Sequence, residues 1–244
     1  MPAAALQATY INNSPGAHST VCLPFGTTGL KFFHARHLVH THHILPMKPE
    51  KTIAKLTAGE AVRIAALGDS LTYGWMAEKG YIDFLQDMLK AKYPAATILF
   101  TNRGIPGDTA EGGLRRLKEQ VIDAQPDLVF VQFGLNDAFS GCPLEQYEST
   151  VSRIIERLQR ETAAEVLLLT SVALADPQED SMALQYYERL VQVARQRAVP
   201  VVQVHAYWKE KTGGIFDGLL QADFVHPTAA GYRLMAEAIM QVLQ

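Results

Sequence analysis

From Ala61 onward, the apolar positions follow two alternating patterns. Short, nearly continuous runs occur at VRIAAL (62–67), TILFTN (97–102), DLVFVQF (127–133), EVLLLTS (165–171) and PVVQV (200–204). Apolar residues at successive positions suit parallel strands buried on both faces. Between these runs, spacings of three and four put apolar residues on one face of a helix. Leu114, Leu117, Val121 and Ile122 form one such stripe. Tyr147, Val151, Ile154, Ile155 and Leu158 form a second, and Leu184, Tyr187, Leu190, Val191 and Ala194 a third. Leu234, Met235, Ala238, Ile239 and Val242 make the last. A further helix, from about Tyr81 to Lys92, carries Phe84, Leu85, Met88 and Leu89. Asp108 or Thr109 is placed to cap the first of these helices and Thr228 the last.

Five strands alternating with helices predict an α/β fold, a three-layer α/β/α sandwich on a five-stranded parallel sheet. Right-handed crossovers favour the flavodoxin-like strand order 2-1-3-4-5. The pattern is absent from residues 1–57, which are rich in Gly, Pro, Thr and His. This divides the chain into an N-terminal extension (1–57) and a regular α/β domain (58–244).

In such sheets, chemistry gathers at the carboxyl ends of the strands. Gly68-Asp69-Ser70-Leu71-Thr72 follows the first run, and Asn102-Arg103-Gly104-Ile105-Pro106-Gly107-Asp108 the second. Gly134-Leu135-Asn136-Asp137 follows the third, and Asp223-Phe224-Val225-His226-Pro227 precedes the last helix. Singly, each is ordinary turn or cap chemistry. Jointly they supply a hydroxyl, a base, an acceptor to orient that base and donors for an oxyanion. The GxSxG elbow of the α/β-hydrolases does not occur.

These four blocks, in this order, resemble the SGNH hydrolases, also called GDSL esterases, from about Ala61 to the C-terminus. The resemblance implies a serine esterase with Ser70 as nucleophile, His226 as general base and acid, and Asp223 orienting the imidazole. It also implies an oxyanion hole formed by the Ser70 and Gly104 N–H groups and the Asn136 side-chain amide. Asp69 and Asp108 are expected to brace loops. Tyr73, Trp75, Phe139, Phe216 and Phe224 lie near the site in sequence, and core packing is the expectation for most of them. Small acyl groups are the expected substrates, in small-molecule or carbohydrate esters. A carbohydrate O-deacetylase or acyltransferase would share the same acyl-enzyme. A flavodoxin-like binding module is the reading from outside enzymology, with NRGIPGD as an anion cradle.

No metal or organic cofactor is called for by this chemistry. His34, His37 and His40 are spaced to share a helix face, with His42 and His43 following, but no nearby carboxylate supports a metal site. The extension has three available roles: covering the sheet edge, closing over the site as a lid, or joining a homo-oligomer. A net charge of −3 gives no basic footprint for nucleic acid. No apolar stretch approaches the roughly 20 residues of a membrane span. MPAAALQATY has neither a basic nor an apolar leader region, and Cys22 and Cys142 form no close pair, so a cytoplasmic protein with free thiols is expected.

Overall fold

A computed structural model of the chain describes residues 47–244. The histidines at 34, 37, 40, 42 and 43, Cys22 and most of the N-terminal extension therefore lie outside the described residues. The strands are β1 (Ala61–Gly68), β2 (Thr97–Gly104), β3 (Leu128–Gln132), β4 (Glu165–Leu169) and β5 (Val201–Val202). All pairings are parallel and the order is β2-β1-β3-β4-β5. This is the three-layer sandwich expected from the apolar runs.

The period of two within each strand assigns alternate side chains to two cores. Val62, Ile64 and Ala66 of β1, Leu128 and Phe130 of β3, and Leu167 and Leu169 of β4 face one side. There they pack on α3 (Tyr81–Lys92), α8 (Val204–Thr212) and α9 (Ala229–Val242). Ala65, Leu67, Val129, Val131, Val166 and Leu168 face the other side, against α4 (Ala110–Gln120) and α6 (Leu144–Glu161). The 21-residue helix α7 (Pro177–Arg197) stands at the margin, giving Ala183 and Tyr187 to the first core and Leu190 and Val193 to the second.

Two local features depart from the sequence pattern. The last apolar run does not continue as a strand through Val204, because β5 ends at Val202 and α8 begins at Val204. Residues 50–57, grouped by sequence with the extension, form helix α1 (Glu50–Thr57) seated on the domain. Leu56 is buried in the first core. The Glu165 carboxylate accepts from the Lys51 and Thr52 N–H groups at 3.1 and 2.7 Å, where the helix N-terminus favours negative charge. Lys55 pairs with Asp127 at 2.7 Å. Among the described residues, no helix is long and apolar enough to cross a membrane.

The chain leaves β1 for β2 on one side and returns to β3 on the other. The connections after β1 and β3 therefore diverge, opening a crevice at their carboxyl ends. Two short helices fill these positions, α2 (Ser70–Tyr73) after β1 and α5 (Leu135–Phe139) after β3.

Candidate active site

Ser70 is the first residue of α2, so its N–H has no partner within that helix. Asp69, the N-cap, accepts from the Leu71 N–H at 2.9 Å and is fully buried. Beneath it, Gln132 donates to Asp69 at 3.2 Å and to Ser171 at 2.7 Å, and accepts from the Thr72 hydroxyl at 2.8 Å. This polar layer fixes the turn that presents Ser70. Burial raises the Asp69 carboxyl to about 7, against the lowering effect of its hydrogen bonds from Leu71 and Gln132.

The C-terminal loop meets Ser70 from the opposite side. His226 Nε2 lies 2.9 Å from Ser70 Oγ, and His226 Nδ1 lies 2.7 Å from Asp223 Oδ2. The other Asp223 oxygen accepts from the Val225 and His226 N–H groups at 3.0 and 2.9 Å. Burial alone would raise the Asp223 carboxyl. The His226 and Val225 N–H bonds and the imidazole outweigh it and hold the group below its usual value. An ionised Asp223 keeps the proton on Nδ1 and leaves Nε2 to accept from the serine. Sequence positions 156 apart are thus joined into one hydrogen-bonded line.

Gly104 and Asn136 occupy different situations. The Gly104 N–H donates to Asn102 Oδ1 at 2.9 Å, and Asn102 Nδ2 donates in turn to the Thr72 carbonyl at 2.9 Å. A Cβ at residue 104 would collide with the backbone of Thr72 and Tyr73. Gly104 therefore seats the end of β2 against α2, and its N–H is already engaged. This corrects the expectation that it donates to an oxyanion. Three residues later, Gly107 has φ +77°, and the Asp108 N–H closes a turn onto the Ile105 carbonyl at 3.1 Å. The Gly107 N–H has no partner among the described residues. The signal was present in the sequence: Pro-Gly at the centre of a four-residue turn demands a positive φ at the second position. Asn136 Nδ2 donates to the Asp108 carbonyl at 2.9 Å, so one of its two amide hydrogens fixes it beside this turn and the other is left over.

Arg116 locks these loops together. Its guanidinium pairs with Asp108 at 2.8 Å and donates to the Gly68 and Arg103 carbonyls at 2.9 and 2.7 Å. Both partners of the ion pair are nearly buried, and the end of β1, the end of β2 and the loop after β2 converge on one side chain. Nothing in the residue pattern distinguishes Arg116 from a surface helix arginine, so it escaped the sequence reading. Asp137 caps two further segments, accepting from the Ala110 and Gly134 N–H groups at 3.1 Å each. Burial raises its carboxyl to about 6.

With this geometry in place, the similarities to known proteins are informative. Residues 66–234 match the GDSL-like Lipase/Acylhydrolase family. The chain belongs to that family. Among curated relatives, an acetylxylan esterase from Geobacillus stearothermophilus is 26% identical over 212 residues, which is 77% of this chain and 95% of that protein. An arylesterase from Vibrio mimicus is 27% identical, over 74% of this chain and 88% of its own length. A crystal structure of the Geobacillus enzyme superposes with a TM-score of 0.67 at 23% identity, covering 75% of this chain and 94% of that one. That enzyme has also been crystallised as catalytic mutants of a serine, an aspartate and a histidine. This GDSL hydrolase is a serine esterase acting on carboxylic esters.

Proposed function

We propose that the hydrolase works through an acyl-enzyme on Ser70. The observation that carries the reading is the unbroken line from Ser70 Oγ through the His226 imidazole to Asp223, at 2.9 and 2.7 Å. His226 Nε2 takes the Ser70 proton as Oγ bonds to the acyl carbon, and the carbonyl oxygen becomes an oxyanion. The Ser70 and Gly107 N–H groups and the free hydrogen of Asn136 Nδ2 are the donors available to it. Collapse breaks the bond to the alcohol oxygen, which leaves with the proton from His226. Water then attacks the acyl-enzyme by the same route, returning Ser70 and releasing the acid. Asp223 orients the imidazole and stabilises its charged form.

Acetyl and other short acyl groups are the proposed substrates. Support comes from the name of the Geobacillus relative, nearly all of which aligns with this chain. The same relative favours a second reading, an O-deacetylase of carbohydrate esters, which shares every step above. The test is hydrolysis of p-nitrophenyl esters of increasing chain length by wild type and Ser70→Ala. The expected result is activity on the acetate that disappears with the serine. Activity surviving in Ser70→Ala would remove Ser70 from the mechanism. Acetate release from acetylated xylo-oligosaccharides distinguishes the deacetylase reading.

A further inference from the structure

Four residues other than glycine have positive φ among the described residues: Met76, Gln125, Ala198 and Phe224. Gln125 and Ala198 end helical segments, where a left-handed residue is routine. Met76 (φ +57°) and Phe224 (φ +58°) have no such excuse, and both carry large apolar side chains. Both side chains are also well exposed, at 68% and 63%. Each is therefore strained without gaining compensating burial, and glycine would adopt either conformation freely.

Their positions coincide with the site. Phe224 lies in the turn that supplies both Asp223 and His226, and Met76 follows the helix that begins at Ser70. The two loops are tied together, since Gln221 Nε2 and the Tyr232 hydroxyl both donate to the Trp75 carbonyl, at 3.2 and 3.3 Å. Tyr73 and Trp75 are exposed on the same loop, with ring centres 6.1 Å apart. Core packing, expected for most of the aromatic residues near the site, holds for Phe216. Tyr73, Trp75, Phe139 and Phe224 stand in solvent instead. Backbone strain retained beside reacting groups points to a role in the reaction.

We infer that Phe224, backed by the Tyr73–Met76 loop, forms a subsite for the alcohol part of the ester and takes alcohols that present a flat ring face. The inference rests on the triad reading, which fixes the side of the site concerned. His226 Nε2 must reach the leaving oxygen, so the alcohol departs along the loop that carries His226 and Phe224. An exposed aromatic ring binds either another aromatic ring or the C–H face of a pyranose. Phenols and acetylated sugars are the two sources of that chemistry.

The test keeps the acetyl group constant and varies the alcohol, using phenyl acetate, a methyl O-acetyl-xylopyranoside and ringless ethyl acetate, with wild type and Phe224→Gly. The quantity read is the ratio of kcat/KM for each ring ester to that for ethyl acetate. Loss of one aromatic contact should lower that ratio about 2- to 10-fold, chiefly through KM. A fall for phenyl acetate alone assigns the subsite to aryl alcohols, and a fall for the xyloside alone assigns it to sugars. Tm should hold or rise, because glycine relieves the strained φ. Ratios unchanged for both ring esters would overturn the inference while leaving the triad intact. Phenyl acetate hydrolysis retained by Ser70→Ala would instead overturn the triad reading.

Discussion

Among the described residues, two His–Asp pairs lie near the carboxyl ends of the strands. In one, Asp223 holds His226 through Nδ1, and Nε2 is directed at a serine. In the other, Asp180 holds His205 through Nε2 at 2.9 Å, and the second Asp180 oxygen accepts from Lys209 at 2.7 Å. The His205 N–H donates to Thr170 Oγ1 at 3.1 Å, and the Leu174 N–H donates to Asp180 at 2.9 Å. Burial would raise the Asp180 carboxyl, but the bonds from Lys209, Leu174 and His205 outweigh it and hold it low. The second pair fastens α7 to α8 and to the end of β4. The difference lies in what the imidazole is left free to do. Of the two histidines among the described residues, His226 faces a serine hydroxyl and His205 does not, so a histidine–carboxylate bond alone does not mark chemistry.

The comparison breaks most sharply at the two histidines. His226→Ala should lower kcat/KM by about 10⁴- to 10⁶-fold, as loss of the base does in other serine hydrolases. His205→Ala should leave kcat/KM within about twofold and lower Tm. Kinetics on p-nitrophenyl acetate with a melting curve for each protein reads both effects. Equal kinetic losses would mean that the buried pair supports the reaction.

Asn136→Ala separates orientation from oxyanion stabilisation. Removing one donor costs about 10²- to 10³-fold in kcat, so this variant should fall between the two histidine variants. Near-wild-type kcat would exclude the side-chain amide from the oxyanion hole.

Asp180→Ala sharpens the structural half. It leaves a buried imidazole and a lysine without their partner. The expected cost is about 2–3 kcal/mol, below that of breaking a fully buried pair because Lys209 is half exposed. Denaturant unfolding measures this, and an unchanged midpoint would show that the pair is not a fastening.

Much of this organisation was legible in the residue pattern, and the gaps have specific causes. The central strands were readable because both faces are buried, as in VRIAAL and DLVFVQF. Val204 was misread because a buried helix start and a buried strand look alike over a few residues. Helix α1 was passed over because its anchors, Glu165 and Asp127, lie over seventy residues away. Ser70, Asp223 and His226 were picked out from short blocks and stand hydrogen-bonded in one line, while Asn136, from another block, bonds to the Asp108 carbonyl. Gly104 shows the limit of such reading. Two glycines share NRGIPGD, and only tertiary contact reveals that one is pressed against α2 while the other offers its N–H. The exposed aromatic residues failed for a related reason, since composition favours burial and only the loop geometry holds those rings in water.

The smallest effect concerns pH, and it separates the carboxylates beneath the nucleophile from those in the two histidine pairs. Asp223 and Asp180 are held low, so their contributions are present at neutral pH and lost only as acid protonates them. Asp69 has the opposite sign. With its carboxyl raised by burial to about 7, the folded state binds a proton that the unfolded chain has released above about 4. The stabilisation is complete below pH ~4 and is lost as pH rises through about 7. Asp69→Asn keeps an oxygen to accept from the Leu71 N–H and removes the titration. The Tm of this variant relative to wild type should therefore be higher at pH 8 than at pH 5. Asp137, raised to about 6, will leave a residual slope of the same sign in both proteins. The difference between them isolates Asp69. Parallel Tm profiles from pH 5 to 8 would show that Asp69 remains ionised in its buried network, sustained by the Leu71 N–H and Gln132.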